Sequence, residues 1–289
     1  MPTESRARPA SAAKPSGLKP TLLGSAFYYL FPVRRGVVLR NMRQVFGECL
    51  DERELKQLAR CYYSHFFKSI VENLAMFWTP QRRLTDKVEV AGAEHLRAAA
   101  EQGKGVLLLT GHFGNWELAS IGAMLQFGEY RDRFHVIRKS LSAGLEQLVF
   151  GRSLRAGLKV IPRFDALGQV MRALEKNDVA IFIMDQHTKV GGGSRKGLAI
   201  DFFGRKAGTN RSLALLAAHT GAPVVPATAY RKPDGKHVME FEAALEWIAD
   251  DDIEQELRLN TRRYNEVLER FVLAHPEQWF WMHRRWKLD

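Results

Sequence analysis

The sequence predicts an α/β fold, three layers in the order α/β/α around a largely parallel mixed sheet. Two observations lead there. Short apolar runs bounded by turn residues recur along the chain and alternate with segments of helical periodicity. One run, residues 179–184, is apolar throughout, the pattern of a strand covered on both faces inside a sheet. A chain of 289 residues with 46% hydrophobic content can bury a sizeable core.

Residues 1–20 are rich in Ala, Ser and Pro and carry Arg6, Arg8, Lys14 and Lys19 against Glu4. This composition predicts a disordered basic leader. A short amphipathic stretch from Thr21 to Val33 follows, interrupted by Gly24 and Pro32. It falls short of the roughly 20 apolar residues that span a bilayer. From Asp51 the period turns helical: Leu55, Leu58, Tyr62, Phe66, Ile70, Leu74 and Phe77 fall three or four apart. Asp51 and Glu54 suit a capping box, and Trp78-Thr79-Pro80 ends the helix. The aromatic stripe is read as core-facing, with a membrane-facing role as the alternative. Residues 21–80 are therefore expected to form an N-terminal helical, membrane-proximal segment, and 81–289 the α/β domain.

In that domain, strands are expected at 88–90, 106–110, 134–138, 158–161, 179–184, 223–230 and 237–245. Helices are expected near 93–101, 115–127, 142–156, 165–176, 208–219 and 251–274.

The stretch Gly105–Ala119 organises the rest. Its strand stops in a turn where Gly111, His112 and Gly114 crowd together, and Asn115 suits a helix N-cap. His112 then sits in a strand-to-helix turn and Glu117 in the first turns of the helix. On a continuous helix, positions five apart point about 140° away from each other. The two side chains meet only if the chain bends between them, and Gly111 and Gly114 permit a bend. A carboxylate beside an imidazole fixes the tautomer and stabilises the imidazolium. With no Ser or Cys beside the pair, the natural chemistry is a His that deprotonates a substrate hydroxyl, which attacks an acyl carbonyl.

In open α/β sheets, ligands bind beyond the carboxyl ends of the strands. Arg138 ends one predicted strand and Asp185-Gln186 follow another, converging with His112 without reference to any family.

The segment Gly111-His112-Phe113-Gly114-Asn115-Trp116-Glu117 resembles the His-x4-Asp/Glu motif of the glycerolipid acyltransferase superfamily. It is most similar to the late acyltransferases of lipid A biosynthesis, the lauroyl/myristoyl transferases. Met184-Asp185-Gln186, Asp201-Phe202-Phe203-Gly204, 218–226 and 281–287 extend the likeness, which covers roughly residues 30–289. The resemblance implies a glycerolipid-acyltransferase-like fold and His112 and Glu117 as catalytic residues. It points to Arg152 and Asp185 as further site residues, and Arg138 and Asn115 complete the candidates for substrate binding or transition-state contacts. An Arg there suits a phosphate or a developing oxyanion.

The resemblance also implies an acyl carrier protein thioester as donor and a lipid A precursor or related glycolipid as acceptor. A lysophospholipid or other lipid is the alternative acceptor. No cofactor is called for, and no His, Cys or carboxylate cluster has metal spacing. Many members of the resembled family carry an N-terminal spanning helix, from which this chain departs. Peripheral attachment to the cytoplasmic face of an inner membrane is therefore expected.

The formal charge of +11 calls for an anionic partner. Arg131, Arg133, Arg138, Lys139, Arg152, Arg155 and the 195–211 region are candidates for docking a small acidic carrier. The sequence shows no nucleic-acid recognition motif, and a non-catalytic lipid- or nucleic-acid-binding protein is the rival of another class. The ending Trp281–Lys287 interleaves Trp with Arg, as a lipid interface or a nucleic-acid groove would. The Gly191–Gly197 stretch lacks the Gly-Lys-Ser/Thr of a phosphate loop and reads as a basic loop near the acceptor site, or as a plain connection. Gly151–Arg155 lacks the second Gly of a nucleophile elbow. Cys49 and Cys61 are too few and too plainly spaced for a disulfide framework.

Overall fold

A computed structural model describes residues 15, 17–138, 151–163, 165–191 and 197–287. Three helices come first: α1 (Leu22–Leu30), α2 (Arg35–Phe46) and α3 (Glu52–Met76). The capping box on α3 forms as expected, with Asp51 accepting from the Glu54 N–H and Glu54 accepting from the Asp51 N–H. The α/β body follows: α4 (Arg82–Thr85), β1 (Val88–Ala91), α5 (Ala93–Ala100), β2 (Val106–Thr110), α6 (Trp116–Met124), β3 (Phe134–Arg138) and β4 (Leu158–Pro162). Then come α7 (Ala166–Glu175), β5 (Val179–Ile183), β6 (Leu198–Phe202), β7 (Arg205–Thr209), α8 (Ser212–Thr220), β8 (Val224–Arg231), β9 (His237–Phe241) and α9 (Ile253–Ala274).

Seven strands form one sheet in the order β1-β9-β8-β2-β5-β3-β4. Pairs β8–β2, β2–β5, β5–β3 and β3–β4 are parallel; β9 runs antiparallel to β8, and β1 parallel to β9. The expected largely parallel mixed sheet is therefore present, and β5 lies inside it between β2 and β3. Parallel pairing sends the ends of β2, β5, β3, β4 and β8 to the same edge, so whatever follows those strands gathers there.

The two sheet faces build two cores. On one, Leu107 and Leu109 of β2 and Ala180 and Phe182 of β5 pack with α2, α3, α8 and α9. On the other, Val106 and Leu108 pack with α5 and α6. The N-terminal helices thus share a core with the α/β body: Val38, Met42, Tyr62 and Tyr63 join the cluster that holds Trp279 and Trp281.

Two elements lack a clear mark in the sequence. Helix α2 falls inside the expected helical segment 21–80, in which only the helix starting after Asp51 has bounds that the periodicity marks. Val38, Met42 and Phe46 are four apart and buried, but Arg40 and Arg43 interrupt the apolar period. Residues 198–209, read as loop and helix start, form the antiparallel β6–β7 hairpin. Its turn residues Phe203 and Gly204 both have positive φ, at 52° and 70°, as a tight two-residue hairpin needs. A bulky aromatic in place of the usual Asn or Asp hid the signal. Phe203 is held there by burial and by its N–H donating to Glu269.

The readings of 1–14, of Lys139, of most of the 142–156 helix and of 192–196 lie outside the described residues; within that helix, 151–155 are helical.

Candidate active site

Thr110 of β2 pairs with Ile183 of β5 in parallel register. His112 and Asp185 each stand two residues beyond, so neighbouring strands deliver them to one place. Asp185 Oδ1 lies 2.9 Å from His112 Nδ1, and Oδ2 accepts from the His112 backbone N–H at 2.8 Å. The indole N–H of Trp279 also donates to Oδ2, at 2.9 Å. A carboxylate only accepts, so the Nδ1 position carries the proton and Nε2 keeps its lone pair.

Burial opposes the charged imidazolium, but the charge and hydrogen bond of Asp185, with the charge of Glu117, outweigh it and raise the His112 pKa. Burial also opposes the charged Asp185; His112 and the N–H donors from His112 and Trp279 prevail and hold it at about 2. The chemistry available here is that of a base with an oriented tautomer.

Glu117 stands differently from the expectation. It interacts with His112 through charge, while its hydrogen bond comes from Asn73 Nδ2 on α3, at 2.9 Å. Burial raises the Glu117 pKa, and His112 offsets part of this. The orienting contact expected of Glu117 is made by Asp185. The reason is geometric: α6 starts at Trp116, so Glu117 leaves along the helix while His112 turns toward β5.

The bend itself is tightly specified. Gly114 has φ 58°, and a Cβ there would come 2.7 Å from the Ala229 carbonyl oxygen. A Cβ on Gly111 would meet the Phe113 ring and Asp185. The segment before the C-terminus seals the turn: Phe280 N–H donates to the His112 carbonyl and Gly114 N–H to the Gln278 carbonyl.

Asn115 caps α6 as expected, its Oδ1 accepting from the Leu118 N–H at 3.3 Å. Its Nδ2 donates to Glu72 of α3, so both ends of the amide are engaged. Glu72 belongs to a buried cluster with Arg231 and His237; Arg231 in turn donates to His65, and His65 bonds Ser69. Burial would raise Glu72, but His237, Arg231 and Asn115 hold it at about 2. Burial and the neighbouring Arg231 push His65 down to about 3, so it is neutral.

Arg152 makes a contact of its own: its guanidinium donates to the Thr79 carbonyl at 2.7 Å, beyond the end of α3. Arg138 ends β3 at the level of Ile183, on the far side of β5 from β2. Gln186 places its amide nitrogen 3.4 and 3.5 Å from the two ring nitrogens of His112. The Trp116 ring meets the imidazole edge-on at 5.0 Å and Phe280 tilts against it at 6.0 Å. Both rings also line a cleft of about 90 Å³ between the turn and α3, with Phe66, Ile70 and Asn73.

The C-terminal reading is corrected for two of its residues. Trp281 and Arg285 are wholly buried, and Arg285 donates to the Gly208 carbonyl and Thr209 and lies over the Phe202 ring. These two residues pack under the site and are unavailable to lipid or nucleic acid, whereas Arg284 and Lys287 are exposed and Trp286 is half-buried. Asn73, Trp279 and the Glu72–Arg231 cluster are additional contacts with no motif in the sequence. The register of Asp185 with His112 was only partly legible: the expected strands 106–110 and 179–184 put His112 two residues and Asp185 one residue beyond their ends, and the count becomes equal because β5 ends at Ile183.

A family model described as bacterial lipid A biosynthesis acyltransferase matches residues 20–288. The lipid A biosynthesis lauroyltransferase of Escherichia coli (strain K12) is 30% identical over 256 residues, covering 88% of this chain and 79% of the relative. The lipid A biosynthesis palmitoleoyltransferase of the same organism is 24% identical over 257 residues, with the same coverage of 88% and 79%. A phosphatidylinositol mannoside acyltransferase of Mycobacterium tuberculosis (strain CDC 1551 / Oshkosh) is 24% identical over 239 residues, covering 78% of this chain and 68% of the relative.

Proposed function

The chain belongs to the bacterial lipid A biosynthesis acyltransferase family, and from that membership we infer how its site works. It is an acyltransferase. A fatty acyl chain moves from an acyl carrier protein thioester to a hydroxyl of a lipid A precursor or a related bacterial glycolipid. The relative named for phosphatidylinositol mannoside keeps the second of these open.

His112 is the general base. Its Nε2 takes the proton of the lipid hydroxyl, the oxygen attacks the thioester carbonyl, and the carrier thiol leaves with a proton. Asp185 orients the ring and stabilises the imidazolium. Glu117 adds negative charge that favours the same ion. The observation that carries this reading is the hydrogen bond from the Nδ1 side to a fully engaged, ionised Asp185, which leaves Nε2 as the basic nitrogen. General base catalysis of this kind contributes about 10² to 10⁴ in rate.

Attachment at the membrane surface is the accompanying proposal. Among the described residues no helix is long and apolar enough to cross a membrane. Large exposed apolar side chains among those residues lie, apart from Ile183, Val190 and Ile253, in 22–33 or 70–78. Phe27 packs on Phe66 and Phe67, which sets the first stretch against α3, the helix that carries most of the second. Lys19, Arg34, Lys68, Arg82 and Arg83 stand exposed beside them. An apolar face with a basic fringe suits an anionic bilayer surface.

Mass spectrometry of lipids from cells with and without the gene tests the function. One acyl chain should be missing from lipid A without the gene. Unchanged lipid A and glycolipid species would refute it.

A further inference from the structure

Asn73 follows Glu72 on α3 but meets different groups. Its Nδ2 donates to Glu117 Oε2 at 2.9 Å, and its Oδ1 is buried without a hydrogen-bond partner among the described residues. The carboxylate can only accept, so the amide nitrogen faces Glu117 and the carbonyl oxygen faces away from it. Leaving a buried carbonyl oxygen without a donor is costly, and such oxygens in native proteins are few. This one belongs to a residue that lines the cleft, whose Trp116 and Phe280 rings also pack on His112. At about 90 Å³ the cleft is small beside the roughly 300–1,000 Å³ of a whole-ligand pocket, so it fits one group of a larger molecule.

Resting on the acyl-transfer reading, we propose that Asn73 binds the lipid being acylated. Its Oδ1 accepts a hydrogen bond from a second donor on that lipid, a hydroxyl or amide N–H beside the hydroxyl that reacts. Its Nδ2 meanwhile holds Glu117. With Nε2 of His112 and the second oxygen of Glu117, the site offers hydrogen-bond acceptors to a lipid rich in O–H or N–H groups. A lipid with a lone hydroxyl leaves Asn73 unsatisfied and is the poorer substrate. Asn73 is therefore a specificity-determining residue.

The test is steady-state kinetics of wild type, Asn73→Ala and Asn73→Leu with an acyl carrier protein thioester and a lipid A precursor. Loss of one hydrogen bond should raise the KM for the lipid roughly 3- to 10-fold. The KM for the thioester should stay within about twofold of wild type by the same reasoning, since Asn73 does not touch the donor. A lipid analogue lacking the neighbouring donor should show the same rise with wild-type enzyme, a readout that needs no variant to fold. In Asn73→Ala the two lipids should become equal. An unchanged lipid KM, an equal rise for both substrates, or a fall in kcat alone would overturn the assignment while leaving the function intact. A wild-type enzyme that transfers no acyl chain to any glycolipid would overturn the function, and the assignment with it.

Discussion

His112 meets Asp185 because parallel register carries both to the same level of the sheet edge. The chemical consequence is a pH profile. A general base must be neutral to act, so kcat/KM should rise with pH through the raised His112 pKa. Asp185→Asn removes the anion that favours the imidazolium, so the acid limb should move to lower pH while the plateau falls. Glu117→Gln removes a smaller charge effect and should move the limb less, in the same direction. Measured pH profiles of the two variants check this, and a larger shift for Glu117→Gln would reverse the assigned roles. Asp185 and Glu72 also make stability acid-sensitive. Both are held at about 2, below the ordinary carboxylate range, so their stabilisation is complete above about pH 5 and lost as pH falls toward 2. At this scale His112 was legible from its turn glycines. Its partner was not settled, because a sequence shows spacing along the chain and the Asp185 contact runs between strands.

Helix α3 grips the motif turn through side chains rather than backbone. Glu72 takes hydrogen bonds from Asn115 and Arg231, and Asn73 holds Glu117. Glu72→Ala would leave Arg231 buried without its carboxylate, which costs roughly 3–5 kcal/mol. Chemical denaturation should show a loss of that size, and a change below about 1 kcal/mol would mean that solvent or His65 compensates. The end of the same helix and the residues after it are apolar and exposed: Val71, Leu74, Phe77 and Trp78 join Leu30 and Phe31 in the proposed membrane face. Replacing Phe31 and Trp78 by Ser should weaken sedimentation with anionic vesicles without lowering the melting temperature, and unaltered vesicle binding would remove the face from consideration. The stripe thus divides between its two readings, with Leu55, Leu58 and Tyr62 in the core and Ile70, Leu74 and Phe77 exposed. Strands β2, β3 and β5 were legible because each is a short apolar run with turn residues around it. The β6–β7 hairpin was not, because Phe203 gives no turn signal until its burial is known.

The whole molecule orients its charges about the sheet. Arg131 and Arg133 precede β3 and so lie at the edge opposite the site; Arg133 is moreover paired with Asp178. The expectation that these two flank the site for donor docking is corrected by that topology. Arg163 and Lys189 follow β4 and β5 at the carboxyl edge and are exposed. An acidic carrier protein should therefore lose kcat/KM when Arg163 and Lys189 are changed to Glu, acyl-CoA should lose less, and Arg131→Glu should serve as the neutral control. Electrostatic docking acts mainly on association, so the carrier's advantage should shrink as salt rises. Equal losses for both donors at all salt concentrations would contradict docking at this edge.

The central claim is that Nε2 of His112 removes the proton from a lipid hydroxyl during acyl transfer. Single-turnover transfer from an acyl carrier protein thioester to a lipid A precursor, followed by mass spectrometry, measures that step directly. His112→Ala should retain the wild-type melting behaviour and transfer at least about 100-fold more slowly. A His112→Ala enzyme that transfers at close to the wild-type rate would contradict the account.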